Sequence, residues 1–179
     1  MGRKFAPIAL GAALSHFLVL GMALFLSVSI ASAQTQTAPP QTTPNCRDDL
    51  AILRHDGQLS QFNVEIAATP AERAQGLMGR THLPSSAGML FVYPDAREVS
   101  FWMHDTPLPL DILYIDATGR VAKIARNAKP YDDTPIPSGA PVQYVLEING
   151  GLAARLGISE GSQLAHPAID QARAAFPCP

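Results

Sequence analysis

The chain has 179 residues, of which 47% are hydrophobic and 16% are charged, and its formal net charge is −2. This length fits a single domain once a targeting segment is set aside. A mildly acidic chain without a run of basic residues is not typical of proteins that bind nucleic acids or anionic membrane surfaces. Neither kind of partner is therefore expected.

The N-terminus has the order of a secretory signal peptide. Arg3 and Lys4 precede an apolar run over residues 5–30, and Ala31-Ser32-Ala33 follows as a small-residue cleavage pattern. We therefore predict a signal peptide over residues 1–33 and a periplasmic or secreted protein. The run is nearly long enough to cross a bilayer, so an uncleaved membrane anchor is the alternative. Removal of the two basic residues lowers the formal charge to −4.

The rest of the chain divides by composition. Residues 34–44 are Gln, Thr, Pro and Ala alone and cannot bury a core, so we predict a flexible linker over residues 34–46. A single β-rich domain is predicted over residues 47–168, followed by a C-terminal tail over residues 169–179.

Two cysteines, Cys46 and Cys178, lie at the two edges of the predicted domain. An even pair in an oxidising compartment usually forms a disulfide, and the ends of compact domains often lie close together. We predict that the two are bonded, which in the loop-entropy model stabilises the fold by on the order of 4 kcal/mol. A catalytic thiol is not favoured, because neither cysteine has a His or a helix start nearby in sequence.

The spacing of apolar residues along the predicted domain is mostly typical of β-strands. Alternating or short apolar runs predict strands at residues 62–67, 88–92, 99–103, 111–116, 120–126 and 143–148, with weaker signals at 50–53, 58–62 and 162–166. Turns are expected at Asp56-Gly57 and at residues 116–119. Many short strands separated by turns predict a mainly β fold, either an antiparallel β-barrel or a sandwich, with one or two short α-helices.

Two helices are predicted. Thr69 is a candidate N-cap, Pro70 suits the first helical position, and Glu72 completes a capping box. The helix is expected to bury Ala71, Ala74, Leu77 and Met78 and to end at Gly79. A second, shorter helix is predicted at residues 151–156, before Gly157.

Several motifs together resemble the domain-of-unknown-function 192 family over about residues 60–166. The family pattern after Trp-Met usually reads Lys-Asn, whereas this chain has His104-Asp105, so no role that needs the Lys charge is expected here. The resemblance implies a small, β-rich, often exported domain and no established enzyme activity. The motifs that carry it are Thr69-Pro70-Ala71-Glu72-Arg73, Gly76-Leu77-Met78, Arg80, Gly88-Met89-Leu90-Phe91, Phe101-Trp102-Met103, Thr106, Pro109-Leu110-Asp111 and Tyr144-Val145-Leu146-Glu147.

The segment from Phe101 to Asp111 is the strongest candidate for a functional site. It places the single Trp of the chain beside Met, His and Asp, before two prolines. Strand alternation puts Trp102 and His104 on one face of the strand and Phe101 and Met103 on the other. The second pair suits the core, so Trp102 is expected to be partly exposed. We predict a non-enzymatic module that binds an unknown small molecule or envelope component, without metal or cofactor. The candidate ligand-binding residues are Arg80, Trp102, His104, Asp105, Asp111 and Glu147.

Three alternatives stay open. The charges Arg73, Arg80, Asp105, Asp111 and Glu147 could instead form structural Arg–carboxylate pairs, because unpaired charges beside apolar segments are costly. Paired carboxylates among Asp105, Asp111 and Glu147 could hydrolyse a carbohydrate, and Trp102 would suit sugar stacking. Periplasmic copper binding is the third alternative, through Met78, Met89, Met103, His82 and His104. His55 and His166 are expected to be surface or loop residues.

Overall fold

A computed structural model of the protein describes residues 45–178. The predicted signal peptide and most of the predicted linker lie outside these residues. Within them, no helix has both the length and the apolar character needed to cross a membrane.

The fold is mainly β, as predicted from the sequence. It contains nine strands and two short helices in the described part of the chain. In chain order these are β1 (Leu50–His55), β2 (Gln58–Ala67), α1 (Pro70–Gln75), β3 (Ala87–Arg97), β4 (Ser100–Phe101), β5 (Leu110–Ile115), β6 (Val121–Ala128), β7 (Ile136–Pro137), β8 (Val142–Asn149), α2 (Leu152–Leu156) and β9 (Gln163–Ala165).

Seven strands form one curled sheet in the order β6-β5-β8-β3-β2-β1-β9. Its two edges meet at one end, where the Val121 amide donates to the Ser162 carbonyl at 2.8 Å and the Leu164 amide donates to the Gly119 carbonyl at 2.7 Å. Gly119 adopts a φ of 85° in the predicted turn, and a Cβ there would lie 2.7 Å from the Leu164 carbonyl oxygen. The close approach of the edges therefore depends on glycine.

The sheet separates two apolar layers. The inner face carries Leu53, Phe62, Leu90, Leu113 and Leu146 and forms the interior of the curled sheet, closed by α2. The outer face of β3, β5 and β8 carries a second layer, which the segments around α1, β4 and β7 cover. Strands β5 and β8 are almost entirely buried because both of their faces are covered.

One strand pair departs from the antiparallel expectation. β2 and β3 run parallel, with Val64 opposite Gly88 and Ile66 opposite Leu90. α1 lies in the connection between them, and such a crossover is how parallel neighbours are joined.

α1 is shorter than predicted. It ends at Gln75 rather than at residue 78, and none of its residues is buried, so the predicted stripe of Ala71, Ala74 and Met78 is wrong. The helix stops because Gly76 adopts a φ of 47°, with the Phe91 ring only 3.3 Å from where its Cβ would be. Leu77 is buried, but beyond the helix end.

Cys46 and Cys178 form a disulfide, as predicted, with a Cα–Cα distance of 5.6 Å. The C-terminal segment is packed against the domain beyond residue 168, since Ile169 and Phe176 are buried and the Ala175 amide donates to the Thr118 carbonyl at 2.8 Å. The bridge therefore joins the two ends of one packed unit.

The predicted capping box of α1 is present and makes a testable contribution. The Glu72 amide donates to Thr69 Oγ1 at 3.2 Å, and the Thr69 amide donates to a Glu72 carboxylate oxygen at 2.8 Å. These bonds lower the pKa of Glu72. Thr69→Ala should lower the free energy of unfolding by about 1 kcal/mol, as lost caps do. Urea denaturation would measure the change, and a midpoint and slope equal to those of the wild type would contradict it.

Candidate ligand-binding groove

A groove runs along the outer layer of the sheet beside α1. It consists of three adjoining crevices, which we call the Trp102 groove. The first has a volume of about 300 Å³, the narrow middle one about 40 Å³ and the third about 550 Å³. The first two share Phe101 and Trp102 in their walls, and the last two share Gln75 and Gly76. Other residues also line the walls: Pro135 in the first crevice, Leu77, Phe91 and Thr106 in the middle one, and Glu65, Arg80 and Met89 in the third.

Trp102 is the main exposed apolar surface of the groove. Its side chain is 54% exposed, whereas Met103 next to it is fully buried, so the predicted alternation of faces is confirmed. The His104 ring lies beside the indole, with ring centroids 5.1 Å apart, and His104 Nδ1 donates to Asp133 Oδ1 at 2.8 Å. The indole is thus supported on one side by a ring that is itself held in place.

Backbone hydrogen bonds join the loop that carries Trp102 and His104 to the loop that carries Asp133. The Met103 amide donates to the Asp132 carbonyl at 2.9 Å, and the Tyr131 amide donates to the Thr106 carbonyl at 3.2 Å. Asp105 and Tyr131 adopt φ values of 47° and 59°, which cost about 1 kcal/mol or more each in residues other than glycine. Backbone strain of this kind collects at binding sites, where surrounding contacts hold it in place.

Arg80 lies at the other end of the groove. Its guanidinium makes a two-pronged pair with the Glu65 carboxylate, at 2.9 and 2.5 Å, and this bonding raises the pKa of Arg80. Both side chains are about half exposed, so the pair contributes little to stability. It offers a ligand both a cationic donor and an anionic acceptor.

Asp111 does not join this surface, contrary to the hypothesis of one patch with Trp102. It lies on the opposite face of β5, completely buried. Its carboxylate accepts the amides of Asn127 at 2.7 Å, Gly151 at 3.0 Å and Ala153 at 2.8 Å. Asp111 therefore fixes the end of β6 and the start of α2, and it has no path to the groove on the other side of the sheet.

Glu147 lies on the outer face of β8, beneath the groove. It stands directly opposite Met89 on β3 and Ile112 on β5, and residues opposite each other in antiparallel strands share a face. Its side chain is only 4% exposed, and burial raises its pKa to about 8. The carboxyl group is therefore largely protonated at neutral pH.

Of the sequence-predicted site residues, Trp102, His104, Asp105 and Arg80 lie at the surface around the groove, Glu147 lies beneath it and Asp111 lies elsewhere. The alternative of structural Arg–carboxylate pairs is not met, because none forms among Arg73, Arg80, Asp105, Asp111 and Glu147. Arg73 instead donates to the Val92 carbonyl at 2.9 Å and covers the Tyr93 ring at 4.8 Å. Asp133, which orients His104, was missed because nothing in the sequence links it to a site 29 residues earlier.

The expectation of a surface or loop position was wrong for His55, the last residue of β1, whereas His166 does lie in a loop, directly after β9. His55 and His166 are buried, and His55 Nε2 lies 2.8 Å from Ser60 Oγ while His166 Nε2 lies 3.0 Å from the Asp48 carbonyl oxygen. His55 also borders a separate polar crevice of about 360 Å³ between the β1–β2 turn and residues 159–163. Between residues 45 and 178, no three His, Cys, Asp or Glu side chains converge as a metal site would require.

The fold and the groove define a small curled-sheet domain with an aromatic-lined outer groove. The chain belongs to the DUF192 family, described as "Uncharacterized ACR, COG1430", whose model matches residues 51–166.

Two solved structures are similar to it. A protein of unknown function from Novosphingobium aromaticivorans DSM 12444 is 45% identical over 64% of this chain and 82% of its own, with a TM-score of 0.63. A protein from Sinorhizobium meliloti 1021, described as a "putative transcription regulator", is 39% identical over 68% of this chain and 95% of its own, with a TM-score of 0.64. A comparison with curated proteins finds no significant match.

Proposed function

We propose that this protein is an exported, non-enzymatic module that binds a saccharide of the cell envelope in the Trp102 groove. The observation that carries the proposal is the exposed indole of Trp102, held by His104 and Asp133 at the junction of two crevices. A flat, fixed aromatic surface suits the apolar face of a sugar ring, and the polar groups of Arg80 and Glu65 suit its hydroxyl groups.

Export is supported by two features of the chain. The N-terminus has the order of a secretory signal, and the bridge between Cys46 and Cys178 is of the kind that persists in oxidising compartments. The acidic balance of the chain is the reason that a regulatory role on nucleic acid is not proposed, although one similar structure carries that description.

The arrangement of carboxyl groups favours binding over hydrolysis. A glycosidase needs two acids facing one bond, whereas Asp111 and Glu147 lie on opposite faces of the sheet. Met89 and Met103, two candidate copper ligands, pack in the apolar outer layer, which gives them a structural role.

Tryptophan fluorescence tests the proposal directly, because Trp102 is the only Trp of the chain. Titration with soluble trisaccharides of glucose, N-acetylglucosamine and glucosamine should shift the emission of the wild type in a saturable way for at least one of them. In calorimetry, Trp102→Ala should weaken binding by about tenfold or more, since a central aromatic contact is lost.

Leu156→Ala is the matched control, because Leu156 is an exposed apolar residue on α2, away from the groove walls. It should leave the affinity unchanged. Binding that survives Trp102→Ala, or that is lost equally in both variants, would contradict a site at the groove.

A further inference from the structure

His166 bonds to both chain segments that flank the folded sheet. The residue directly follows β9, and its side chain is only 2% exposed. His166 Nε2 lies 3.0 Å from the carbonyl oxygen of Asp48, which precedes β1, and the Ala168 amide donates to His166 Nδ1 at 3.1 Å. The disulfide between Cys46 and Cys178 joins the same two segments to each other. One buried ring therefore holds the bridged ends of the chain against β9.

These two hydrogen bonds require the neutral form of the His166 ring. A carbonyl oxygen can only accept and an amide can only donate, so Nε2 carries the hydrogen and Nδ1 offers its lone pair. A second proton on Nδ1 would point one donor at another and leave the Ala168 amide without its acceptor. Burial would also deprive the charged ring of water. Protonation of His166 is therefore incompatible with this packing.

Residues 167–178, which we call the C-terminal strap, cover one end of the curled sheet. Ile169 is buried with the inner apolar layer, and its Cδ1 atom lies 2.9 Å from the position that a Cβ of Gly119 would take. The Ala175 amide donates to the Thr118 carbonyl at 2.8 Å. Both contacts lie at the turn where the two edges of the sheet meet. The strap therefore separates this end of the inner layer from solvent.

We propose that His166 is an acid-sensitive latch, whose protonation releases the C-terminal strap and opens this end of the inner apolar layer. The disulfide keeps the released strap attached to the residues before β1, so the strap can close again when the pH rises. The inference goes beyond saccharide binding and does not depend on the Trp102 groove. Histidine suits such a role because its ordinary pKa lies within the pH range that proteins commonly meet.

The direction of the pH effect follows from the environment of the ring. Burial lowers the pKa of His166 from its ordinary value of 6.5, although the bond to the Asp48 carbonyl and the charge of Asp48 act in the opposite direction. With the strap released, the ring regains water and its ordinary pKa. The closed state is therefore fully stabilised above about pH 6.5 and loses this stabilisation as the pH falls through the lowered pKa.

The neighbouring ionisable groups do not titrate in this range. The phenol of Tyr144 on β8 donates to the Ala168 carbonyl at 3.0 Å, and burial raises its pKa, so it stays neutral. The segment before β1 contributes Asp48, and the strap contributes Asp170 and Arg173, all of which are exposed. Carboxylates and guanidinium groups in water keep their charges between about pH 5 and 7. Among these groups, His166 is the one that can respond.

Amide hydrogen exchange of the full mature protein, followed by NMR at about pH 7.5 and pH 5, tests the latch. After correction for the intrinsic effect of pH, the protection of the Ala168 and Ala175 amides should fall severalfold at the lower pH. The Asn63 amide, which donates to the Ser86 carbonyl at 2.8 Å within the sheet, should keep its protection.

Two variants assign the effect to the ring. His166→Gln removes the titrating group, and its strap amides should show no such fall between the two pH values. His82→Gln makes the same change at an exposed histidine and should behave like the wild type.

The ring resonances of the wild type supply an independent measurement, which decides the proposal even if His166→Gln does not fold. His166 should titrate at a lower pH than the exposed His82. Titration of both rings at the same pH would overturn the latch. A fall in protection that is equal at Ala175 and Asn63, or that persists in a folded His166→Gln variant, would also overturn it.

Discussion

Glu147→Gln is expected to stabilise the protein at pH 8 by on the order of 3–5 kcal/mol and to have little effect at pH 5. In the folded protein burial raises the pKa of Glu147 to about 8, from an ordinary value of 4.5. Between pH 4.5 and pH 8, Glu147 keeps its proton in the folded state and loses it in the unfolded state. The wild type therefore loses stability as the pH rises through this range, whereas Gln stays neutral throughout.

Urea denaturation at the two pH values would measure the effect as a difference between wild type and variant. Glu98→Gln makes the same chemical change at an exposed position. Its stability should differ from that of the wild type by the same small amount at both pH values. If the stability difference between wild type and Glu147→Gln does not change with pH, Glu147 is charged or exposed, and its role as a neutral buried acid is wrong.

Asp111→Ala should destabilise the protein by about 3–5 kcal/mol, because it leaves the amides of Asn127, Gly151 and Ala153 without their acceptor, and the Ala153 amide is buried. Asp111→Asn should cost less, since one oxygen still serves Asn127 and Gly151 while the new NH2 group faces the Ala153 amide.

Asp116→Asn provides the control for this substitution. The three donors to Asp116 all reach one oxygen, Oδ1, which an Asn side chain retains. It should therefore be almost neutral in thermal or urea denaturation. An Asp111→Asn variant as stable as Asp116→Asn would show that the amide network does not fix the junction of β5, β6 and α2.

The strand pattern was predictable wherever one face of a strand meets solvent. Alternation at Phe101, Trp102 and Met103 predicted which side chain is exposed, and the capping box predicted the start of α1. The two-residue strand β7 was missed because Ile136-Pro137 is too short to show a period. The parallel pairing of β2 and β3 was missed although a helix between two strands is its usual signal.

The candidate site was harder to predict, because β5 and β8 are buried on both faces. An apolar strand without alternation does not show which side its polar residues take. Asp111 was therefore grouped with Trp102 on nearness in sequence, although the sheet lies between them. Glu147 was recognised as a candidate, but the absence of an Arg partner among residues 45–178 depends on long-range packing that the sequence does not encode locally.

Amide chemical-shift mapping by NMR on addition of the glucosamine trimer tests the central claim, that the Trp102 groove is the ligand site, most directly. The predicted perturbations are the indole NH of Trp102 and the amides of Gly76, Leu77 and His104, around the middle crevice. Shifts confined to residues 159–163, which line the polar crevice that His55 borders, would place the site at that crevice and contradict the claim.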